Sequence, residues 1–371
     1  MAVQLQFPSE PVSSNRAVNM SDSGRITVLR KKLLRRMDPD RSQTLRRSFQ
    51  VGFLLLNVWV GVRFYIWVRQ FETGAHDRNL MRPAGVEGWL PIAGLMNLRY
   101  SLLTGHFPVT HPAAFFLFVT FLAIAFLFRK AFCSWLCPVG TLSEYLWRAG
   151  RILFRRNFHL PRYLDVPLRS LKYLLLAFFV WAISHMSAGA IEEFMHSPYG
   201  AIADLRMLNF FRYLGQTAAV VLGFFVIASV LVQNFWCRYL CPYGALLGIT
   251  SFLSPLRIRR SEPACIDCAK CAKACPSALP VDKLITIKSA ECTGCLECVA
   301  VCPAESALQL SIPTWAGAAR ISPWAMAAGI AVLFFGIVGF AKTSGYWNGD
   351  VPDYVYRQLV PQANDVDHPM P

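Results

Sequence analysis

Charge is what this chain has least of. Asp, Glu, Lys and Arg make up 16% of its 371 residues, hydrophobic residues 54%, and the mean hydropathy is +0.38. So little charge at this length excludes an ordinary water-soluble globular protein and predicts a membrane protein. Acidic residues are the scarcer kind, 22 against 37 Lys and Arg. The basic excess sits beside apolar runs, which fits membrane orientation and lipid headgroups better than nucleic acid. No cysteine is spare. All 12 fall in motifs, which leaves none for a disulfide framework and places the thiols on the reducing, cytoplasmic side. Residues 1–24 are polar and Ser-rich with no apolar core, so they read as disordered and not as a signal peptide.

Zinc spacing is missing too. Zinc modules separate two C-x2-C pairs by a dozen or more residues so that four thiolates reach one tetrahedron. Here the pattern C-x2-C-x2-C-x3-C-P occurs twice, as Cys265, Cys268, Cys271, Cys275, Pro276 and as Cys292, Cys295, Cys298, Cys302, Pro303. Three thiolates from one tight loop suit a cubane cluster whose fourth ligand comes from the other run. That pairs Cys265, Cys268, Cys271 and Cys302 on one [4Fe-4S] cluster, and Cys292, Cys295, Cys298 and Cys275 on a second. Small residues between ligands (Ala269, Ala272, Thr293, Gly294) are expected to let backbone N–H groups approach the sulfides. The stretch closely resembles bacterial two-cluster ferredoxins.

Around this module the apolar runs predict five membrane spans, at 49–68, 112–128, 171–186, 214–235 and 323–341, each near the length that crosses ~30 Å of hydrocarbon. Nine Lys and Arg precede the first span between Arg25 and Arg47. They read as a positive-inside flank touching anionic lipid. Arg63 lies towards the outer end of that span, either snorkelling or contacting a quinone or cofactor. Residues 88–99 are too short to span and read as an interfacial or re-entrant helix. Arg148, Arg151, Arg155 and Arg156 mark a basic amphipathic helix on the inner leaflet. Between Arg129 and Lys172 there are nine Lys and Arg, whereas Ser187 to Arg212 has two. The charges therefore put the amino terminus, the cysteine motifs and the ferredoxin inside, with the carboxyl tail outside.

A pattern also returns. Pro91 to Arg99 is echoed by Pro198 to Arg206, and Cys133-x3-Cys137-Pro138 by Cys237-x3-Cys241-Pro242, 104 residues later at the cysteines. This reads as an internal duplication of span, outer segment, span, C-x3-C-P and inner helix. Within one helix a C-x3-C pair shares a face, one turn apart. The prolines should end each span and start a helix, making Cys137 and Cys241 N-caps with lowered thiol pKa values. Cys133, Cys137, Cys237 and Cys241 are then candidates for a third metal or iron–sulfur centre, or for four buried thiols packed as small apolar side chains.

Two C-x3-C-P motifs at inner span ends followed by a two-cluster ferredoxin resemble the membrane polyferredoxin family. Its types include NapH, the carboxyl-terminal half of NosR, and CcoG. The resemblance runs over about residues 49–313. It implies an electron carrier of a bacterial inner membrane, with a quinone or redox protein as partner. The fold expected is an α-helical membrane protein, internally duplicated, with a small α+β ferredoxin module. Its segments are a basic cytoplasmic stretch (1–47), two membrane repeats (48–156 and 157–256), the ferredoxin (257–313), and a fifth helix with an outer tail (314–371). The function expected is electron transfer between a quinol or cytoplasmic donor and a respiratory or metalloenzyme-assembly acceptor. The alternatives are a Cu(II) reductase and a redox-sensing regulator. Six histidines (His76, His106, His111, His185, His196, His368) fall on the outer side, where with Met186 and Met195 they are candidates for haem or copper.

Overall fold

The computed structural model describes residues 18–20, 26–28, 36, 40–74, 80–155, 158, 160–314 and 317–368. Arg156, His76 and the basic residues between Arg25 and Arg35 lie outside them. In the polar amino-terminal stretch, β1 (Val18–Met20) pairs antiparallel with β2 (Ile26–Val28).

The first long helix, α1, spans Ser42–Glu72. Its 31 residues extend roughly 46 Å at 1.5 Å each, more than a bilayer core needs. The surplus is the first two turns, where Ser42, Leu45, Arg46 and Gln50 are buried against protein. A 3-10 turn at Ala84–Trp89 leads into α2 (Pro91–Thr104), at the place expected for an outer helix.

Then comes α3 (Pro112–Phe128), started by Pro112 in the first turn and stopped at Arg129, whose φ is +59°. Two short steps follow, α4 (Ala131–Trp135) and α5 (Pro138–Phe154). Helix α6 (Arg162–Ser184) is succeeded by α7 (Ala188–His196), α8 (Pro198–Ala201), α9 (Ala203–Arg212) and α10 (Gln216–Leu231). A π-helical turn (Trp236–Leu240) precedes α11 (Pro242–Thr250).

The ferredoxin region contributes β3 (Arg257–Arg260), α12 (Lys270–Ala274), α13 (Glu297–Ala300), β4 (Leu308–Thr314) and β5 (Gly317–Arg320), with β4 central and both pairings antiparallel. The chain closes with α14 (Pro323–Thr343) and α15 (Asp353–Leu359).

Among the described residues three helices are long and apolar enough to cross a membrane: α1, α6 and α14. The α9–α10 pair, bent by 83°, makes a fourth if counted as one broken span. Helix α3 is the most enclosed, with Ala113, Ile124 and Ala125 fully buried, and its 17 residues are just short of the usual length.

Packing is reciprocal. Helix α3 lies against α11, α10 lies against α5, and α2 lies against α7. The α5–α10 approach needs Gly150, because a Cβ there would sit 1.9 Å from the Val230 carbonyl oxygen. One apolar core runs from Phe116 in α3 through Trp135 and Leu247 to Ile258 and Leu310 of the ferredoxin sheet. The module and the helices therefore share an interior.

Candidate redox site

The two cysteine loops bend alike. Asp267 and Ala269 in the first, and Gly294 and Leu296 in the second, all have φ between +55° and +61°. These positions correspond one to one, each pair flanking the second cysteine of its motif. Such left-handed alternation turns successive N–H groups into one concavity, the arrangement that holds anionic sulfides. The sequence expectation of small residues is thus met at Ala269 and Gly294. Asp267 and Leu296 adopt the same backbone despite larger side chains.

Cys302 lies within electrostatic reach of Cys265 and Cys268, and Cys271 within reach of Cys302. A small cavity is lined by Cys275, Cys292, Cys295 and Cys298. Burial pushes the Cys275 thiol up to about 11 and Cys295 up to about 12, so both need a metal to become thiolates at neutral pH. Among the described residues no three His, Cys, Asp or Glu side chains close round a single ion. A cubane spreads its thiolates over four irons, so this donor set fits a cluster better than one zinc ion.

The second loop is clamped to the helices. Ser134 Oγ donates to the Thr293 carbonyl (2.7 Å), Trp135 Nε1 to that of Gly294 (3.2 Å) and Gln43 Nε2 to that of Cys295 (2.9 Å). Arg129 Nη2 donates to the Ser289 carbonyl at 2.7 Å. Arg46, 1% exposed, pairs with Glu144 at 2.7 Å and Glu297 at 2.9 Å. Arg148 pairs with Glu144 at 2.7 Å and also reaches Glu297. These contacts correct two expectations. Arg46 and Arg148 serve the module and not lipid headgroups, because the part-buried Glu144 and Glu297 recruit them. Cys292, Cys295 and Cys298 are buried, whereas Cys268 is exposed.

The C-x3-C-P motifs end one helix and start the next as expected, but the two thiols of each pair do not share one helix. Each pair straddles a break: Cys133 lies in α4 and Cys237 in the π-helical turn, while Cys137 and Cys241 begin α5 and α11. The prolines force this by excluding the helical conformation from the residue before them. The caps form as predicted, with Gly140 N–H donating to Cys137 Sγ (3.5 Å) and Gly244 N–H to Cys241 Sγ (3.2 Å). Burial nevertheless pushes Cys137 up to about 11, so the expected lowering is overridden there. Gly140 is required, since a Cβ would lie 2.1 Å from the Cys133 carbonyl oxygen. All four thiols line one cavity of about 780 Å³, and the structure brings together what the chain separates by a hundred residues.

That cavity reaches from the thiols past Phe121, Phe132 and Tyr243 to Trp59 and Arg63. Arg63 therefore faces an internal space, with its guanidinium 5.8 Å from the Trp59 ring. Sequence reasoning missed the ionic cluster at one rim of the cavity and read His111 only as a candidate for haem or copper. There Arg82 bonds Glu87 and Asp204 at 2.6 Å each, and His111 Nε2 lies 2.7 Å from the Gly200 carbonyl. The lone clue was an acid and a base near each turn. Among the described residues the candidate histidines do not gather round one ion. His106, His185 and His196 are exposed, His368 packs edge-on against Tyr199, and Met186 and Met195 pack with Met96 in an apolar cluster.

Comparison with known proteins decides the family. The 4Fe-4S binding domain family matches this chain twice, over residues 110–161 and 214–261, and the 4Fe-4S dicluster domain family matches residues 257–304. YccM of Escherichia coli (strain K12), for which a role in electron transport has been proposed, is 49% identical over 328 residues, 88% of this chain and 92% of YccM. The chain belongs to the membrane polyferredoxin family. The ferredoxin-type protein NapH of the same organism is 26% identical over 234 residues, 62% of this polyferredoxin and 72% of NapH. The regulatory protein NosR of Stutzerimonas stutzeri is 32% identical over 171 residues, 45% of this chain and 23% of NosR. No solved structure matches. This polyferredoxin is accordingly an iron–sulfur membrane protein with a role in electron transfer.

Proposed function

We propose that this polyferredoxin carries electrons between a quinol or cytoplasmic donor and a respiratory or metalloenzyme-assembly acceptor at or beyond the membrane. The clamp carries the reading: the loop of Cys292, Cys295 and Cys298 is fastened to the helix that bears Cys133. Cys265, Cys268, Cys271 and Cys302 hold one [4Fe-4S] cluster, near the exposed Cys268, where a soluble donor can approach. Cys292, Cys295, Cys298 and Cys275 hold the second, turned towards the helices. The clusters supply one-electron steps when bound. The chain orders them, donates backbone N–H groups to them and keeps water from the inner one. Cys133, Cys137, Cys237 and Cys241 hold a third metal or iron–sulfur centre beyond it. The aromatic cavity has the size and lining of a site for a quinone headgroup.

Two matches of one domain family and the reciprocal packing of α3 on α11 and α10 on α5 support the duplication. In this reading α1, α3, α6, α10 and α14 are the five spans, set in the bacterial inner membrane, with module inside and tail outside. An alkaline phosphatase fusion after Trp347 is expected to be active and one after Ile312 inactive, and the reverse pattern would overturn the orientation.

The electron-carrier reading is tested in proteoliposomes, by following cluster reduction with a quinol or dithionite and then reoxidation by acceptors that include Cu(II). Reoxidation by quinone analogues supports a quinone-linked carrier. Preference for Cu(II) would favour the metal reductase instead, and clusters inert to every donor would sink electron carriage.

A further inference from the structure

The four thiols share their cavity with an unbalanced charge. Lys130 stands between α3 and α4, 4% exposed, and lines the cavity alongside Cys133, Cys137, Cys237 and Cys241. A point one Cβ out from Gly244 lies 3.5 Å from Lys130 Nζ and 3.5 Å from Cys241 Sγ, so ammonium and sulfur flank the same small space.

Lys172 is a second buried ammonium here, fully enclosed, and one carboxylate serves both. Glu291 accepts from Lys172 at 2.6 and 2.8 Å and from the Tyr173 hydroxyl at 3.2 Å. Among the described residues no carboxylate comes within ion-pair distance of Lys130. Lys130, Lys172 and Glu291 together carry one net positive charge beside the sulfurs, whereas Arg169 and Arg238, which also line the cavity, are paired with Asp165, and Glu144 is paired with Arg46 and Arg148.

A buried charge left without a partner costs several kcal/mol, so a cation retained in such a place is evidence of an anion to offset it. Neutral thiols offer no charge, whereas metal-bound thiolates do. The duplication sharpens the point. The position 104 residues after Lys130 is Asn234, which also lines the cavity and accepts a hydrogen bond from Ser143 at 3.4 Å. The thiols are thus repeated in both halves, and the ammonium is contributed by one.

We propose that Lys130 is the counter-cation of an anionic iron–sulfur centre at Cys133, Cys137, Cys237 and Cys241, and that it raises the potential at which that centre takes up an electron. The inference rests on the third-centre reading above. Reduction adds one negative charge to the centre. A fixed ammonium beside it stabilises the reduced form more than the oxidised form, and the effect is large where water is excluded. Lys130 is a positioning residue here, acting through charge, and no proton moves in the step.

The test uses the full chain purified anaerobically, with metal analysis and redox titration followed by low-temperature electron paramagnetic resonance. Comparing wild type with Cys137→Ser identifies the signal that belongs to the four-thiol centre. Lys130→Met is expected to move the midpoint of that signal to more negative potential and to leave the ferredoxin signals unmoved. Lys130→Arg, which keeps the charge, is expected to stay near the wild-type value. Should the methionine variant fail to accumulate, Lys130→Gln reads the same shift. A Cys137-dependent signal whose midpoint is unmoved in the methionine or glutamine variant overturns the role of Lys130 and leaves the centre standing. Equal shifts in the arginine and methionine variants also overturn it, since charge is then not the cause. The absence of any metal or signal dependent on Cys137 overturns the centre and the proposal together.

Discussion

Cys295→Ser is expected to remove the inner of the two clusters, leaving roughly four iron atoms in a module that should carry about eight. It is also expected to abolish electron delivery to membrane acceptors. Cys295 is buried, its carbonyl is tied to Gln43 Nε2, and it lines the small cavity with Cys275, Cys292 and Cys298. No other described cysteine lines that cavity. Cys268→Ser is expected to remove the outer cluster's signal and perturb the other, because the ligand sets interlock. Iron analysis with low-temperature electron paramagnetic resonance reads both variants. A Cys295→Ser protein with its full iron and an unchanged rate would show that the inner cluster is held differently.

The second large effect is expected at Arg46. Its guanidinium satisfies Glu144 through two bonds of 2.7 and 2.8 Å and Glu297 through one of 2.9 Å, at 1% exposure. Arg46→Ala removes one of two guanidinium partners from the part-buried Glu144 and Glu297, with Arg148 and Gln50 remaining, so the loss is expected to fall below the ~3–5 kcal/mol of a fully broken buried pair. The module should loosen from α1 and α5, with faster protease cleavage around residues 289–299 and earlier thermal loss of cluster absorbance.

The pH dependence has a definite sign. Burial would raise the Glu144 carboxyl, but Arg46 beside it holds it below its ordinary 4.5. A carboxyl lowered in the folded state stabilises above its unfolded pKa and loses that contribution as pH falls through the lowered value. Acid should therefore release the module in wild type, and Arg46→Ala should remove much of that pH dependence. Equal protease resistance of the two proteins at neutral pH would mean that the clamp rests on the apolar core alone.

The ferredoxin motif was legible because its chemistry is local. Three cysteines in one loop must face one cluster whatever surrounds them, and the left-handed residues at matching positions follow from that need. The apolar runs were legible for a similar reason, since a helix across lipid satisfies its backbone from within one segment. Residues 112–128 became α3 at both ends because Pro112 starts a helix and Arg129 ends it. The C-x3-C-P pairs were read less well. The prolines end one helix and start the next as expected, and for that reason the two thiols of each pair do not share the single helical face that spacing suggested.

The sequence by itself determined that the chain is apolar, twice patterned and built to bind iron–sulfur clusters, because these depend on composition and short spacing. Tertiary structure alone decided which cysteine loop faces the helices, that Arg46 and Arg148 hold the module, and that Lys130 sits beside four thiols with, among the described residues, no carboxylate within ion-pair distance. Those facts depend on contacts between residues as far as 84 to 252 positions apart, such as Gln50 with Ser134 and Gln43 with Cys295. Nothing in the local spacing encodes such contacts. Burial then decides what each charge does, since an arginine that snorkels at an interface is the same residue as one that anchors two carboxylates in the interior.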